Sequence, residues 1–131
     1  MPSAVVDVCR SYTVAEEVGL LDAVHQSIVE AFRVAPTHRN VVLMVHAAHR
    51  FLGRTDSPAP DRSTNVTLYV LPGRSLQAKR QLYRLIVERF SEFGIPKACV
   101  LIRLIELPAS NFGVRGGLAL ADVELGYALD V

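Results

Sequence analysis

The chain has 131 residues, of which 50% are hydrophobic and 21% are charged, and this composition indicates one soluble globular domain. The net charge of +1 gives no indication of a nucleic-acid partner or of binding to a membrane surface. The apolar runs are too short to span a membrane and a signal peptide is absent, so we expect a cytoplasmic protein. Cys9 and Cys99 lie in predicted strands, where buried thiols are expected rather than a metal site.

The first part of the chain is predicted to form a strand, a helix and a second strand. Residues 3–9 are rich in valine, which is typical of a strand. Thr13 and Glu16 have the spacing of a capping box. From Val14 to Phe32 apolar residues recur at steps of three and four, which predicts one apolar face of a helix. A proline four residues later ends this helix, and residues 40–47 form the next strand.

A polar, proline-rich stretch over residues 53–64 is predicted to be a connecting loop, after which the pattern restarts. Residues 66–71 form a strand, and Ser75 is a good N-cap for a second helix. The apolar face of that helix extends to Phe93, and glycine and proline stop it. Residues 98–107 form a further strand, and the glycine-rich remainder is expected to form short strands or a hairpin.

The two parts constitute an internal repeat. A shift of 61 residues places Leu21 on Leu82 and Phe32 on Phe93, so the apolar register is kept although identity is low. We therefore predict a single domain over 1–131 whose two halves cover about 2–52 and 65–131.

Each half has the form of a βαβ unit, in which a helical crossover makes the two strands parallel. Two tandem units predict an α+β fold with a four-stranded mixed sheet and two helices on one face. The other face carries apolar residues that need a cover. A closed ring of identical chains is the usual solution, so we expect an oligomer.

Two stretches of the second half resemble 4-oxalocrotonate tautomerase: GRSLQAK at 73–79 and IELPASNFGVRGGLA at 105–119. With Pro2 directly after Met1 and with two βαβ halves, the whole chain resembles the longer, fused members of the tautomerase superfamily. This resemblance implies the fold of macrophage migration inhibitory factor, a homotrimer, a small carboxylate-bearing substrate, and catalysis by an N-terminal proline without metal or organic cofactor.

Physical chemistry agrees with a catalytic Pro2. If Met1 is removed, the nitrogen of Pro2 becomes a secondary amine, and an α-amino group titrates near ~7.7–8.0. Burial or a nearby cation lowers the pKa of such an amine further, and a general base works best when its pKa lies near the working pH. The alternative is an incidental proline, because proline is tolerated at the first residue of a strand.

For the other candidate residues the resemblance implies roles in substrate binding. Arg74 precedes the second helix, where its guanidinium would grip a carboxylate in two-point fashion; the alternative is a solvated turn arginine. Phe112 would line the pocket, unless it is plain core. Asn111 would hydrogen-bond a substrate oxygen, unless it is a turn residue. Arg115 would meet a second carboxylate or the enolate oxygen.

Two further candidates rest on weaker parallels. Some fused members of the superfamily have a substrate-contacting histidine in the first helix, where this chain has His25; the alternative is an ordinary helix histidine. The arginine of the last main strand in the tautomerase aligns with Leu101, and Arg103 lies two residues on, on the same face of the strand.

The sequence differs from the decarboxylases and dehalogenases of the superfamily at positions that bear on which reaction is expected. His38 stands where the decarboxylase has an aspartate, and Leu76 stands where it has a second arginine. The expected function is therefore an isomerase that interconverts the enol and keto forms of a small 2-oxo acid. The alternatives are decarboxylation, hydration or dehalogenation of a three-carbon acid, and a catalytically silent trimeric binding protein.

Overall fold

The structure is a computed structural model that describes residues 2–126 and 128–131. The predicted removal of Met1 concerns a residue outside this part. The main elements follow in chain order: β1 Ser3–Val8, α1 Val14–Phe32, β2 Val41–Val45, β3 Thr64–Val70, α2 Leu76–Ser91 and β4 Val100–Glu106. A small hairpin follows, formed by β5 Gly113–Val114 and β6 Leu118–Ala119.

Local sequence determines where the helices start. The Thr13 side chain accepts a hydrogen bond from the backbone N–H of Glu16, and the Glu16 carboxylate accepts one from the backbone N–H of Thr13. This is the predicted capping box. Ser75 caps α2 by accepting a hydrogen bond from the backbone N–H of Ala78. At its other end α1 terminates in Arg33, whose φ of 54° places it in the left-handed region.

The predicted α+β fold with a four-stranded mixed sheet is confirmed. The strand order is β2-β1-β3-β4. β1 and β2 are parallel, β3 and β4 are parallel, and the central pair β1 and β3 is antiparallel. This is the arrangement expected from two βαβ units joined side by side.

Both helices pack on one face of the sheet and form a single core with it. The strand residues that alternate inward are fully buried, for example Val6 and Leu68. The opposite face has no helix over it among the described residues. Several of its apolar side chains are exposed, and they belong to the two outer strands: Val42, Met44, Leu101 and Ile105.

The helix face differs from the sequence prediction at its start. Val14 and Val18 are 76% and 61% exposed, although both belong to the predicted apolar series. The stripe of α1 that faces the sheet begins at Leu20 and continues through Ile28 to Phe32. Val18 precedes Leu20 by two positions and is rotated about 200° from it around the helix axis, because successive residues are separated by about 100°.

The spacing of 61 residues is also visible in the backbone. A short 3₁₀ turn follows β2 at Ala48–Arg50, and another follows β4 at Ala109–Asn111, 61 positions later. Each turn ends on a phenylalanine in extended conformation, Phe51 in the first half and Phe112 in the second.

No helix in the described part of the chain is long and apolar enough to cross a membrane. The cytoplasmic location stays a prediction.

Candidate active site

Pro2 lies at the edge of the sheet where β1 begins, and its side chain is buried. β1 is an inner strand of the sheet, so its first residues have a neighbouring strand on each side, β2 and β3. On one side the backbone N–H of Ala4 donates to the carbonyl oxygen of Asn40 at 2.9 Å, directly before β2. On the other side Ser3 pairs with Tyr69, near the end of β3. Pro2 therefore lies between the segment that enters β2 and the turn that leaves β3.

A cavity of about 750 Å³ opens at this edge. Its wall is built from both halves of the chain: Ser3 and residues 37–40 from the first half, and residues 112–115, Leu118, Leu120 and residues 123–125 from the second. Two predicted site residues, Phe112 and Arg115, are thus brought to the start of β1. The volume lies within the range of small-molecule sites in proteins.

The segment around Phe112 is shaped by local backbone preferences. The 3₁₀ turn Ala109–Asn111 directs Phe112 to the cavity, and the backbone N–H of Leu120 donates to the carbonyl oxygen of Phe112 at 2.9 Å. Gly116 and Gly117 have φ of 83° and 77°, a conformation that residues with a side chain rarely adopt. The glycines therefore let the chain reverse between β5 and β6.

Arg74 is placed differently from the sequence expectation of a turn arginine with an open fork. Its side chain is only 6% exposed, and its guanidinium lies over the Phe32 ring, 4.8 Å from the ring centre. It donates a hydrogen bond to the carbonyl oxygen of Leu71 at 3.2 Å. It is not among the described residues that line the cavity. Packing against Phe32 accounts for its burial, and its predicted role in substrate binding stays a prediction.

Three further predicted residues lie outside the cavity wall. Asn111 is exposed in the 3₁₀ turn that precedes Phe112. The buried His25 has Nε2 2.8 Å from the carbonyl oxygen of Pro36, and it lines a second cavity beside α1. Arg103 lies on the open face of the sheet and donates a hydrogen bond to Thr67 Oγ1 at 3.0 Å. Within one chain the described wall of the Phe112 cavity includes none of these three residues.

The structure adds residues to the wall that the sequence did not single out as site residues. Thr37, Arg39 and Asn40 come from the segment before β2, and Glu124 comes from the C-terminal part. His38, noted in the sequence as a departure from the decarboxylases, also lines the cavity. The sequence feature that could have indicated this segment is the predicted parallel pairing of β1 and β2, since a βαβ unit places the starts of its two strands at the same end of the sheet.

Neither cysteine belongs to this site. Cys9 is buried, and its thiol lies 3.5 Å from the carbonyl oxygen of Asp61 in the linker between the halves. Burial raises the pKa of the Cys9 thiol, so it is protonated at neutral pH and is a poor nucleophile. Among the described residues no group of His, Cys, Asp and Glu side chains is arranged to hold a metal ion.

Comparison with known proteins gives a family match and a set of similar structures. The sequence model of a family described as "Tautomerase enzyme" matches residues 38–115. A malonate semialdehyde decarboxylase structure has 23% identity and a TM-score of 0.80, over 89% of this chain and 93% of that one. Native fused 4-OT has 18% identity and a TM-score of 0.78, over 91% and 96% of the two chains.

A further fused 4-OT, described as a symmetric trimer, has 19% identity and a TM-score of 0.79, over 90% of this chain and 95% of that one. At these identities the similarity establishes the fold. No curated protein matches the sequence significantly.

Proposed function

The chain belongs to the tautomerase enzyme family, and on that premise we propose that it is a cofactor-independent isomerase that interconverts the enol and keto forms of a small 2-oxo acid. The observation that carries the proposal is the buried Pro2 at the start of β1, directly before Ser3, which lines the cavity together with Phe112. A proton transfer of this kind needs a base, a carboxylate anchor and a site that excludes water. It needs no metal.

In the proposed reaction Pro2 acts first as base and then as acid. Once Met1 is removed, the neutral amine of Pro2 takes the proton of the enol hydroxyl, while the oxygen forms the carbonyl and the electron pair of the carbon–carbon double bond becomes available at carbon. The protonated amine then returns the proton to carbon, so no atom is gained or lost. Burial disfavours the charged amine, which keeps the free base available near neutral pH.

The remaining predicted residues have supporting roles in this proposal. Arg74 holds the 2-oxo carboxylate at the turn after β3, and Phe112 stacks on the planar enol. Arg115 binds a second carboxylate or the enolate oxygen, and Asn111, in the adjacent turn, hydrogen-bonds a substrate oxygen. His25 holds the segment before β2 through the Pro36 carbonyl oxygen.

We also propose that the working form is a homotrimer. The sheet face opposite the helices exposes Val42, Met44, Leu101 and Ile105, and an apolar patch of this kind marks an interaction surface. Similar structures of fused 4-OT are trimers. In a trimer this face, with Arg103, would pack against neighbouring chains and bring Arg103 closer to a neighbouring site. Light scattering that gives the mass of a single chain, 14.4 kDa, would contradict the assembly.

The experiment that tests the function compares the ketonisation rate of phenylenolpyruvate for the wild type and for Pro2→Ala. General acid–base catalysis contributes roughly 10²- to 10⁴-fold, so we expect a loss of at least about 100-fold. The intact mass of both proteins shows whether Met1 is absent, and circular dichroism shows whether the variant is folded. Equal rates in the two proteins would eliminate Pro2 as the base, and no turnover by either protein would favour a silent binding protein.

Decarboxylation or hydration of a three-carbon acid is the second candidate, because malonate semialdehyde decarboxylases are among the similar structures. Against it, His38 and Leu76 replace the acid and the second arginine expected for that chemistry, and the cavity of about 750 Å³ exceeds what a three-carbon acid fills. Turnover of malonate semialdehyde that is faster than ketonisation would reverse this order of preference.

A further inference from the structure

A second group of polar side chains lies on the sheet face opposite the helices, at the other end of β1 from Pro2. Asp7 is near the end of β1, and His46 directly follows β2. The His46 Nε2 atom lies 2.6 Å from Asp7 Oδ1. The parallel pairing of the strands brings the two together, because Asp7 is opposite Met44 and side chains two positions apart on a strand point to the same face.

The contact with Asp7 leaves one imidazole nitrogen of His46 available. A carboxylate only accepts hydrogen bonds, so Nε2 carries the proton that it donates to Asp7. Among the described residues Nδ1 has no hydrogen-bond partner and is not enclosed, so a small molecule can reach it. An imidazole held in this way presents a lone pair at Nδ1, and the carboxylate stabilises the imidazolium that forms when a proton is taken up. The pair therefore has the geometry of a general base.

The pair lines a small pocket of about 270 Å³. The other described residues of its wall are Arg50, Phe51, Leu52 and Asn65. The Phe51 ring centre is 6.1 Å from that of the imidazole, and Phe51 corresponds to Phe112 of the larger cavity at the spacing of 61. Within the described residues no carboxylate forms an ion pair with the Arg50 guanidinium. The pocket thus combines a base, a cation that folding does not use and an aromatic wall.

These groups fit a small 2-oxo acid. The Arg50 guanidinium presents a planar fork that matches a carboxylate, and the side-chain amide of Asn65 is a donor for an oxygen on which negative charge develops. The imidazole then meets the C–H group next to the carbonyl, whose proton a base removes to form an enolate. The volume of about 270 Å³ is near the lower limit of usual small-molecule sites, ~300 Å³, so the acid has few carbons.

We propose that Asp7 and His46 form a second proton-transfer site, which enolises a small 2-oxo acid such as pyruvate without Pro2. His46 Nδ1 takes a proton from the carbon next to the carbonyl, the C–H electron pair forms the carbon–carbon double bond, and the carbonyl electron pair moves to oxygen. Return of a proton from the imidazolium to carbon restores the acid, so no atom is gained or lost. Asp7 is a positioning residue, because it contacts His46 and not the substrate.

The test follows the exchange of the methyl protons of pyruvate for deuterium in D₂O by NMR. It uses the Pro2→Ala protein, in which the proline of the first site is removed. We expect this protein to accelerate the exchange, and the added change His46→Gln to lower the rate by at least about 100-fold, since general base catalysis contributes roughly 10²- to 10⁴-fold. His49→Gln is the matched control and leaves the rate unchanged, because this exposed histidine lies outside the described pocket wall.

Two further variants separate the roles within the pocket. Arg50→Gln raises KM for the exchange about 10-fold with little change in kcat, because the carboxylate is bound equally in the ground and transition states. Asp7→Asn lowers kcat, and the ¹⁵N shifts of the His46 ring show that Nε2 no longer carries the proton exclusively. A role of Asp7 in folding alone would leave these shifts unchanged.

Exchange no faster than in buffer, or an equal rate after His46→Gln, would overturn the proposal. The exchange is measured on the assembled protein, so a neighbouring chain that closes the pocket also gives no exchange and overturns it in the same way. The outcome is distinct from that of the isomerase proposal, because loss of phenylenolpyruvate turnover in Pro2→Ala reports on the first site only. If the wild type fails to ketonise phenylenolpyruvate but exchange depends on His46, the isomerase proposal fails while the second site stands.

Discussion

The two halves of the molecule share one plan but differ at the edge where each begins. In the first half, β1 begins beside the open cavity. In the second half, β3 begins where the linker packs closely: a Cβ atom at Gly53 would lie 2.8 Å from Ser63 Oγ, and Ser57 Oγ lies 3.2 Å from Cys99 Sγ. The same spacing that relates the halves places Ser63 on Pro2. The linker thus fills the position that corresponds to the cavity.

This comparison explains why one half can carry the chemistry while the other carries structure. Positions 53, 57 and 99 correspond at the spacing of 61 to positions 114, 118 and 38, and the latter three all line the cavity. At the start of β3, by contrast, positions 53, 57 and 99 belong to the close packing of the linker. The repeat therefore keeps the backbone plan, while side chains and the linker decide which edge stays open.

The strongest test of this division concerns the arginine that follows each first strand. Arg74 is buried over the Phe32 ring, whereas Arg10 pairs with an exposed Asp61. Lysine keeps the charge but loses the planar fork and the stacking surface. We expect Arg74→Lys to lower kcat/KM for phenylenolpyruvate by about 10- to 100-fold, and Arg10→Lys to change it less than about threefold, since exposed ion pairs contribute little.

The assay is run well below the unfolding temperature of each variant, because a change at a buried arginine also lowers stability. Full activity of a folded Arg74→Lys protein would show that Arg74 serves packing and does not anchor the substrate.

The same contrast shows how far the sequence could predict the molecule. The helix starts were predictable because a capping box such as Thr13–Glu16 is formed within one turn. The sheet was predictable because βαβ units leave few topologies. The burial of Arg74 was not predictable, since it depends on Phe32, which lies far upstream in the sequence. It also depends on a turn that lies close to the C-terminal part of the chain, where a Cβ atom at Gly73 would be 3.2 Å from the Leu129 Cβ atom.

The site was predicted in part for a similar reason. Phe112 and Arg115 belong to a stretch that resembles a known family, and the structure places both at the cavity. Arg39 carries no such motif, and its position follows from the pairing of β2 with β1. The packing of the linker against the second half was also not predictable from the sequence. Residues 98–99 were predicted to be strand but belong to a 3₁₀ turn, and Cys99 in that turn contacts the linker.

The second test concerns the contact between α1 and the turn that follows α2, where the repeat also breaks. Gly19 lies on α1 against Phe93, and a Cβ atom there would come within 2.5 Å of the Phe93 ring. Arg80, the corresponding residue of α2, is exposed. We expect Gly19→Val to lower the free energy of unfolding by about 1–2 kcal/mol, because overpacking costs more than the better helix propensity returns.

Gly113→Val is the matched control, since nothing lies within 4 Å of a Cβ atom at that position and its φ is not positive. Urea unfolding of both variants measures the difference. Equal stability of the two would show that the ring of Phe93 moves aside, so that the contact between α1 and this turn is adaptable.

The third test uses the two N-caps, which complete the same motif in different ways. The backbone N–H of Thr13 is bonded locally by Glu16, whereas that of Ser75 donates to the distant carbonyl oxygen of Val131 at 2.9 Å. Either cap changed to alanine costs about 1 kcal/mol of unfolding free energy. The caps differ in pH dependence, because only the first uses a carboxylate.

Hydrogen bonds from Thr13 lower the pKa of Glu16 below its usual 4.5. A carboxylate whose pKa is lower in the folded chain stabilises the fold above the unfolded pKa, and this contribution is lost as the pH falls through the folded pKa. The loss of unfolding free energy in Glu16→Ala relative to the wild type should therefore be present at pH 7 and shrink below about pH 4.5. The corresponding loss in Ser75→Ala should stay constant over this range. If chemical unfolding shows the Glu16→Ala deficit unchanged in acid, the carboxylate contributes nothing to the cap, and the two helices are capped by their hydroxyl groups alone.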